Sequence, residues 1–574
     1  MTCQHPRREM ARSELVRRGW LRWPAVGASF LAMCLAVPIG NAQTVDLEFY
    51  DDESGEPVTA RFQWKMGEKR VSRPRGLLWN GEWWLANPQF TLVPRGGDFE
   101  FLVQRGPEFV DIRGGFTMEK NAKDVVEVEV PRSTDMHAEN WYSADHYTDL
   151  PPEQATRWQR ADALDLICID AKNGTFPDSH SNASAEDAND KSDAPKSKKK
   201  RDKLVESSDP HLVGYQLQIP CTASNSQNGC VLIHRLPQLE LDGAELEDAP
   251  NARSKNLFEQ LEEMPLLTDR IAELKDPWAR DVPILLATKG IRAVQILSAS
   301  HRPQSDEPLV LRPAAEKSGV FATIQRSMGK ERSQLSVFAP FTQEDRIRFK
   351  GPKAAGELTE QVYWRMLDAG LRLTPTASSG FGQADTHLGY NRTYFYSESP
   401  PDPQAWLNAV SLGRTTPTNG PLLRTLINGL PPGSNQTSSS GTPIDLDIAV
   451  SLTVREPVDY LDVIFNGETL YSAKLEDHYN RGEFPPLQIE ESGWLVVRVV
   501  TAHEKGQRFA TTAPFYFEFD NQARISKQAV EFMQQWLAHA EQAIDATPQK
   551  ANYAPWIEKA RTFWSEQLQN ATAP

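Results

Sequence analysis

Imidazole and carboxylate side chains gather in one short run, Asp145-His-Tyr-Thr-Asp149, and recur singly at His234 and His301. Such groups, brought to one point, can hold a divalent ion that acidifies a bound water and clamps a charged oxygen. Asp145, His146, Asp149, His234 and His301 are therefore the candidate metal ligands, and Tyr147 is a candidate hydrogen-bond donor to an anionic group. His234 closes the apolar run Gly-Cys-Val-Leu-Ile-His, and His301 follows a second such run at 293–297. His387 lies in a glycine-rich stretch, 380–389, that could cover a pocket. Each residue also has an ordinary explanation. An acid at a strand end accepts from backbone N–H groups, and a lone His is more often a satisfied core or surface side chain. The sequence contains no phosphate-cradling glycine loop, dinucleotide fingerprint, paired-cysteine zinc motif or Gly-x-Ser-x-Gly.

The elements that must position these groups follow from periodicity. Residues 163–170 (Ala-Leu-Asp-Leu-Ile-Cys-Ile-Asp) and 293–297 are short apolar runs, as expected of buried parallel strands. Helical spacing marks 152–163, 257–274, 282–290, 360–370 and 403–411, and the alternation of strand and helix points to an α/β layer or barrel. On either side the pattern has period two. Residues 43–132 alternate at 45–49, 99–103 and 125–130, and 444–519 do so again, with Asn466-Gly467 as a hairpin turn. Both flanks are expected to be β-sandwiches. Trp79, Trp83 and Trp84 in the first could stack on sugars, although core packing is the commoner use. A helix with Ser526 as its N-cap is expected at 526–544.

With 62 basic and 77 acidic residues among 574, the chain carries a formal charge of -15, which argues against nucleic-acid binding. Residues 1–42 have the form of a secretory signal: six arginines, an apolar stretch at 24–39, and small residues Gly40 and Ala42 before Gln43. The apolar stretch is shorter than the roughly 20 residues of a spanning helix. The expected product is exported, periplasmic or extracellular, without a transmembrane segment. It retains Cys168, Cys221 and Cys230, of which Cys221 and Cys230 could pair. Residues 178–203 are polar and include Lys198-Lys-Lys-Arg201, the composition of a disordered insertion.

The run Asn140–Glu153, "NWYSADHYTDLPPE", resembles the opening of the CehA/McbA-type secreted metallohydrolases of the PHP (polymerase and histidinol phosphatase) superfamily. Further collinear runs are similar, among them "DPWARDVPILLATKGIRAVQILSASH" (276–301), "LGYNRTYFY" (388–396), "GRTTPTNGPLL" (413–423) and "EESGWLVVRVVT" (490–501). The segment "GEPVTARFQW" (55–64) is similar to carboxypeptidase-regulatory-like modules. The resemblance implies a distorted (β/α) barrel at 133–418, flanked by β-sandwiches at 43–132 and 419–522 and followed by a helix and tail at 523–574. It also implies metal-dependent hydrolysis of phosphoesters or related substrates, with Zn, Mn or Fe as the metal.

The family's ligands are not all present. Its His-x-His pair falls on Tyr147 and Asp149, and its later Gly-Ser-Asp falls on Ser378-Ser-Gly380. On a regular strand His146 would point away from those positions, and a slip of one residue would bring it back. The expectation is a degenerate metal centre, or no metal at all, in a protein that binds a polysaccharide or cell-envelope component. The alternative is an active hydrolase with a rearranged site.

Overall fold

The computed structural model describes residues 44–574 apart from 67–68, 71–76, 81–82, 93–96, 120–122, 171–216, 227–228, 237–255, 299–336, 343–344, 346–347, 350, 383–385 and 505. The signal-like segment, the polar insertion at 178–203 and His301 lie outside the described residues. The architecture is mixed α/β with more strand than helix.

Strict alternation shapes the first part. In Thr44–Asp51 every second side chain is buried, so Val45, Leu47 and Phe49 face inward. This strand pairs antiparallel with Gln89–Leu92 and parallel with Lys123–Val130. A second sheet centres on Ala60–Met66, Gly97–Gln104 and Ile112–Met118, and the two sheets share one apolar cluster including Phe49, Phe62, Phe90 and Phe99. Trp83 and Trp84 are buried, so both pack into the protein.

The site rests on the large central sheet. We label its strands β1 (Trp141–Thr148), β2 (Leu166–Asp170), β3 (Leu217–Ser226), β4 (Gly229–Arg235), β5 (Arg270–Leu274), β6 (Ile291–Leu297), β7 (Thr374–Ala377), β8 (Arg392–Tyr396) and β9 (Thr415–Thr418). They lie in the order β7-β6-β5-β4-β3-β2-β1-β8-β9 and continue into the strands of the last part. Their directions are mixed. β1-β2-β3 and β5-β6-β7 are parallel, whereas β4 runs antiparallel to both neighbours, as does β8. The sheet curls back on itself. Ala377 N donates to Thr393 Oγ1 of β8 (2.8 Å), Thr415 Oγ1 of β9 donates to Pro375 O (2.8 Å), and Asp149 N donates to Phe381 O (2.8 Å).

A helix fills the space inside the curl. Pro403–Ser411 starts at the Asp402 side chain, which accepts from Ala405 N. Trp406, Leu407, Ala409 and Val410 pack against Tyr142, Ala144, Cys168, Leu232, Ile271, Ala293 and Phe395. The outer face is covered by Pro152–Ala161 on one side, through Trp158, and by Val282–Ala287, Ala354–Asp368, Lys527–Asp545 and Lys550–Gln569 on the other. Ser526 caps Lys527–Asp545 as its sequence predicts. Asn466 and Gly467 both have positive φ and join Val458–Phe465 to Glu468–Ala473.

Two expectations change. The helical spacing at 257–274 breaks up: Leu257–Glu263 is helical, Met264–Leu266 forms a 3-10 turn around Pro265, and the rest becomes β5. Proline has no N–H to continue a helix, and Thr268-Asp269 supplies the turn into the strand. Cys221 and Cys230 lie on neighbouring strands, but Cys221 is opposite His234 and Cys230 opposite Asn225. That register sets them four steps apart, roughly 13 Å, too far for a disulfide. Among the described residues no helix is long and apolar enough to cross a membrane.

Candidate functional site

An irregularity in β1 creates the site. Asp145 pairs with Ile167 and Thr148 with Ile169, so three steps on β1 match two on β2. The extra residue is a β-bulge, which turns two successive side chains toward one face. Ile167 and Ile169 belong to the outer cluster, whereas Cys168 belongs to the inner one. His146 and Tyr147, opposite Cys168, therefore both reach the inside. The bulge brings His146 inward, where a regular strand would turn it away.

Inside, His146 meets His234 of β4 and Glu273 of β5. All three are fully buried, and one donor atom from each lies within 4.8 Å of the others, so the cluster could hold a metal ion. His146 Nδ1 is 2.7 Å and His234 Nε2 3.2 Å from the same oxygen, Glu273 Oε2. A carboxylate only accepts, so both of these nitrogens carry the proton. Burial alone would raise the Glu273 pKa, but the electrostatic pull of His146 and the hydrogen bonds of both imidazoles outweigh it and hold the carboxyl below its usual range. Burial pushes the His234 pKa down, against the pull of Glu273, and favours the neutral ring.

The outer nitrogens have different surroundings. Trp406 Nε1 donates to His146 Nε2 at 3.4 Å, and its ring stands edge-on to both imidazoles, at 5.3 and 5.4 Å between centroids. His234 Nδ1 and Glu273 Oε1 are buried without a hydrogen-bond partner among the described residues. So are both amide atoms of Gln295 on β6 and Oγ1 of Thr376, its register partner on β7. Tyr147 donates to Asp170 Oδ2 (2.9 Å), and Lys275 Nζ lies 4.2 Å from the centroid of the Tyr147 ring.

Of the other sequence candidates, Asp145, Asp149 and His387 do not join this cluster, and His301 lies outside the described residues. Asp145 pairs with outward-facing Ile167 and accepts from Ser379 Oγ, Ser379 N (3.1 Å), Gly389 N (2.9 Å) and Tyr147 N (3.3 Å). Burial pushes its pKa up, and those donors pull against the shift. Such bonds are the ordinary ones for an acid on a strand, and they tie Ser379 and Gly389 to β1. Asp149 is half-buried just past β1, where its N–H holds Phe381. His387 packs against the first part of the chain, with Arg61 Nη1 2.8 Å from its Nδ1 and Arg61 paired to Asp162. Burial, then Arg61, pushes its pKa well down.

Sequence reasoning missed Glu273 and Trp406. The signal for Glu273 was an acid inside the apolar run Ile271-Ala-Glu-Leu274, masked by the helical spacing that precedes it. Trp406 carried none, because an inward helix and an outward one share the same period. Comparison of the chain with family models, curated proteins and solved structures returned no match.

Proposed function

We propose that this chain is an exported relative of the PHP metallohydrolases, a distorted barrel between two β-sandwiches, whose metal centre has become a proton-sharing His146–Glu273–His234 cluster. It acts by binding, with a polysaccharide or cell-envelope component as the target class. The observation that carries this reading is the indole N–H of Trp406 on the outer nitrogen of His146. A histidine that ligates a metal normally gives its other N–H to an acceptor, and loss of that partner costs roughly 10–100-fold in affinity. Here the partner is a donor, and His234 has none among the described residues. Full burial of all three side chains adds support, since a catalytic ion keeps an open position for water or substrate. The signal-like residues 1–42 support export.

An ion, when bound, would be held by His146 Nδ1, His234 Nε2 and a Glu273 oxygen, and would supply Lewis acidity at that point. The compact spacing of those donors favours the second reading, a hydrolase with a rearranged site. Turnover separates the two. The mature protein is incubated with model phosphoesters and added Zn, Mn or Fe. The binding role predicts no hydrolysis above background. Hydrolysis that disappears in His234→Ala would establish the hydrolase instead.

A further inference from the structure

We propose that Trp406 sets the divalent-ion affinity of the His146–His234–Glu273 cluster by holding His146 in the tautomer that keeps its ion-facing nitrogen protonated. This rests on the proton-sharing reading above and assigns it to one residue.

An indole N–H donates and never accepts. With Trp406 Nε1 at 3.4 Å, the lone pair of His146 stays on Nε2 and its proton on Nδ1, facing Glu273 at 2.7 Å. An ion among the three donors needs bare lone pairs on His146 Nδ1 and His234 Nε2. If the rings stay neutral, each proton moves from the inner to the outer nitrogen. On His146 the new Nε2–H points at the Trp406 N–H, so two donors face each other. On His234 the new Nδ1–H is buried without an acceptor among the described residues. A buried unmet donor costs about 1–3 kcal/mol.

Trp406 cannot easily step aside. It is fully buried, flanked on its own helix by Leu407 and Val410, and that helix is anchored by the Asp402 cap. Trp406→Phe keeps an aromatic ring and removes only the N–H with part of the ring system. It takes away the opposing donor on His146 and leaves the three ligands in place.

The test is a titration of the full mature chain with Co2+ alone, followed by its visible absorption, for wild type, Trp406→Phe and Trp406→Phe with His234→Ala. Trp406→Phe should bind roughly tenfold more tightly than wild type, and adding His234→Ala should abolish the gain. A Trp406→Phe protein that keeps native near-UV circular dichroism and binds no more tightly would overturn the proposal. A second measurement needs no variant: nitrogen-15 NMR of the wild-type imidazoles should find the His146 proton on Nδ1, and a proton on Nε2 would also overturn it. The outcomes separate from those of the functional reading. Phosphoester turnover by wild type removes that reading, whereas an inert wild type with no gain in Trp406→Phe removes only the assignment to Trp406.

Discussion

Asp145 is where a metal-ligand role and a structural role make opposite predictions. Four donors converge on its buried carboxylate: the Ser379 hydroxyl and the N–H groups of Ser379, Gly389 and Tyr147. Asp145→Ala strands three buried N–H groups, each worth about 1–3 kcal/mol when unmet, while the hydroxyl can rotate to a new partner. Allowing for water entering the space, the expected loss is about 3–5 kcal/mol. Asp145→Asn keeps one acceptor oxygen and turns an NH2 toward donors, so it should lose about 1–3 kcal/mol. Urea unfolding followed by tryptophan fluorescence measures both, with Co2+ affinity read on the same samples. The structural role predicts a lower midpoint for each variant and unchanged Co2+ affinity in Asp145→Asn, because Asp145 lies off the inward face. The reasoning fails if Asp145→Asn unfolds at the wild-type midpoint yet loses Co2+ binding.

Three further predictions concern the frame around the site. Gly389 has φ +71, and a Cβ there would fall 2.7 Å from Arg392 Nη2 and 2.8 Å from Leu164 Cδ1. Gly389→Ala should therefore cost about 1–3 kcal/mol in chemical denaturation, and a neutral result would contradict the close approach. His137 sits 2.8 Å from Asp165; burial lowers its pKa, but the Asp165 hydrogen bond and charge win and raise it from 6.5 to about 9. Its stabilisation is thus complete below pH 6.5 and lost as pH rises through about 9, on the order of 1–2 kcal/mol after solvent screening. His137→Gln should flatten that decline in a pH series of melting curves, and an unchanged slope would refute the pairing. Gln295 buries an amide with no partner among the described residues, so Gln295→Met should fall within about 1 kcal/mol of wild type or stabilise it. A loss of several kcal/mol would reveal a bound water or ion at that amide.

Local pattern carried much of the fold. The alternation at 45–49 and 125–130, the apolar run ending at Asp170, the Asn466-Gly467 turn and the Ser526 cap all depend on neighbours in sequence, and each appears as expected. The site depended on what neighbours cannot specify. The bulge that turns His146 inward exists only relative to β2, about 20 residues away. The donors to Asp145 at Ser379 and Gly389 lie more than 230 residues downstream. Glu273 was hidden because the helical spacing before Pro265 runs on smoothly into a strand that buries the same residue types. Among the described residues, the candidate ligands His146 and His234 come together with Glu273, Asp145 and Asp149 stand apart, and His301 lies outside the described residues.

The central claim is that protons, and not a resident ion, join His146, His234 and Glu273. Elemental analysis of the mature protein, purified without chelator, tests it most directly. The account predicts Zn, Mn and Fe each far below one equivalent per chain. A full equivalent that is retained through purification and lost in His234→Ala would contradict it.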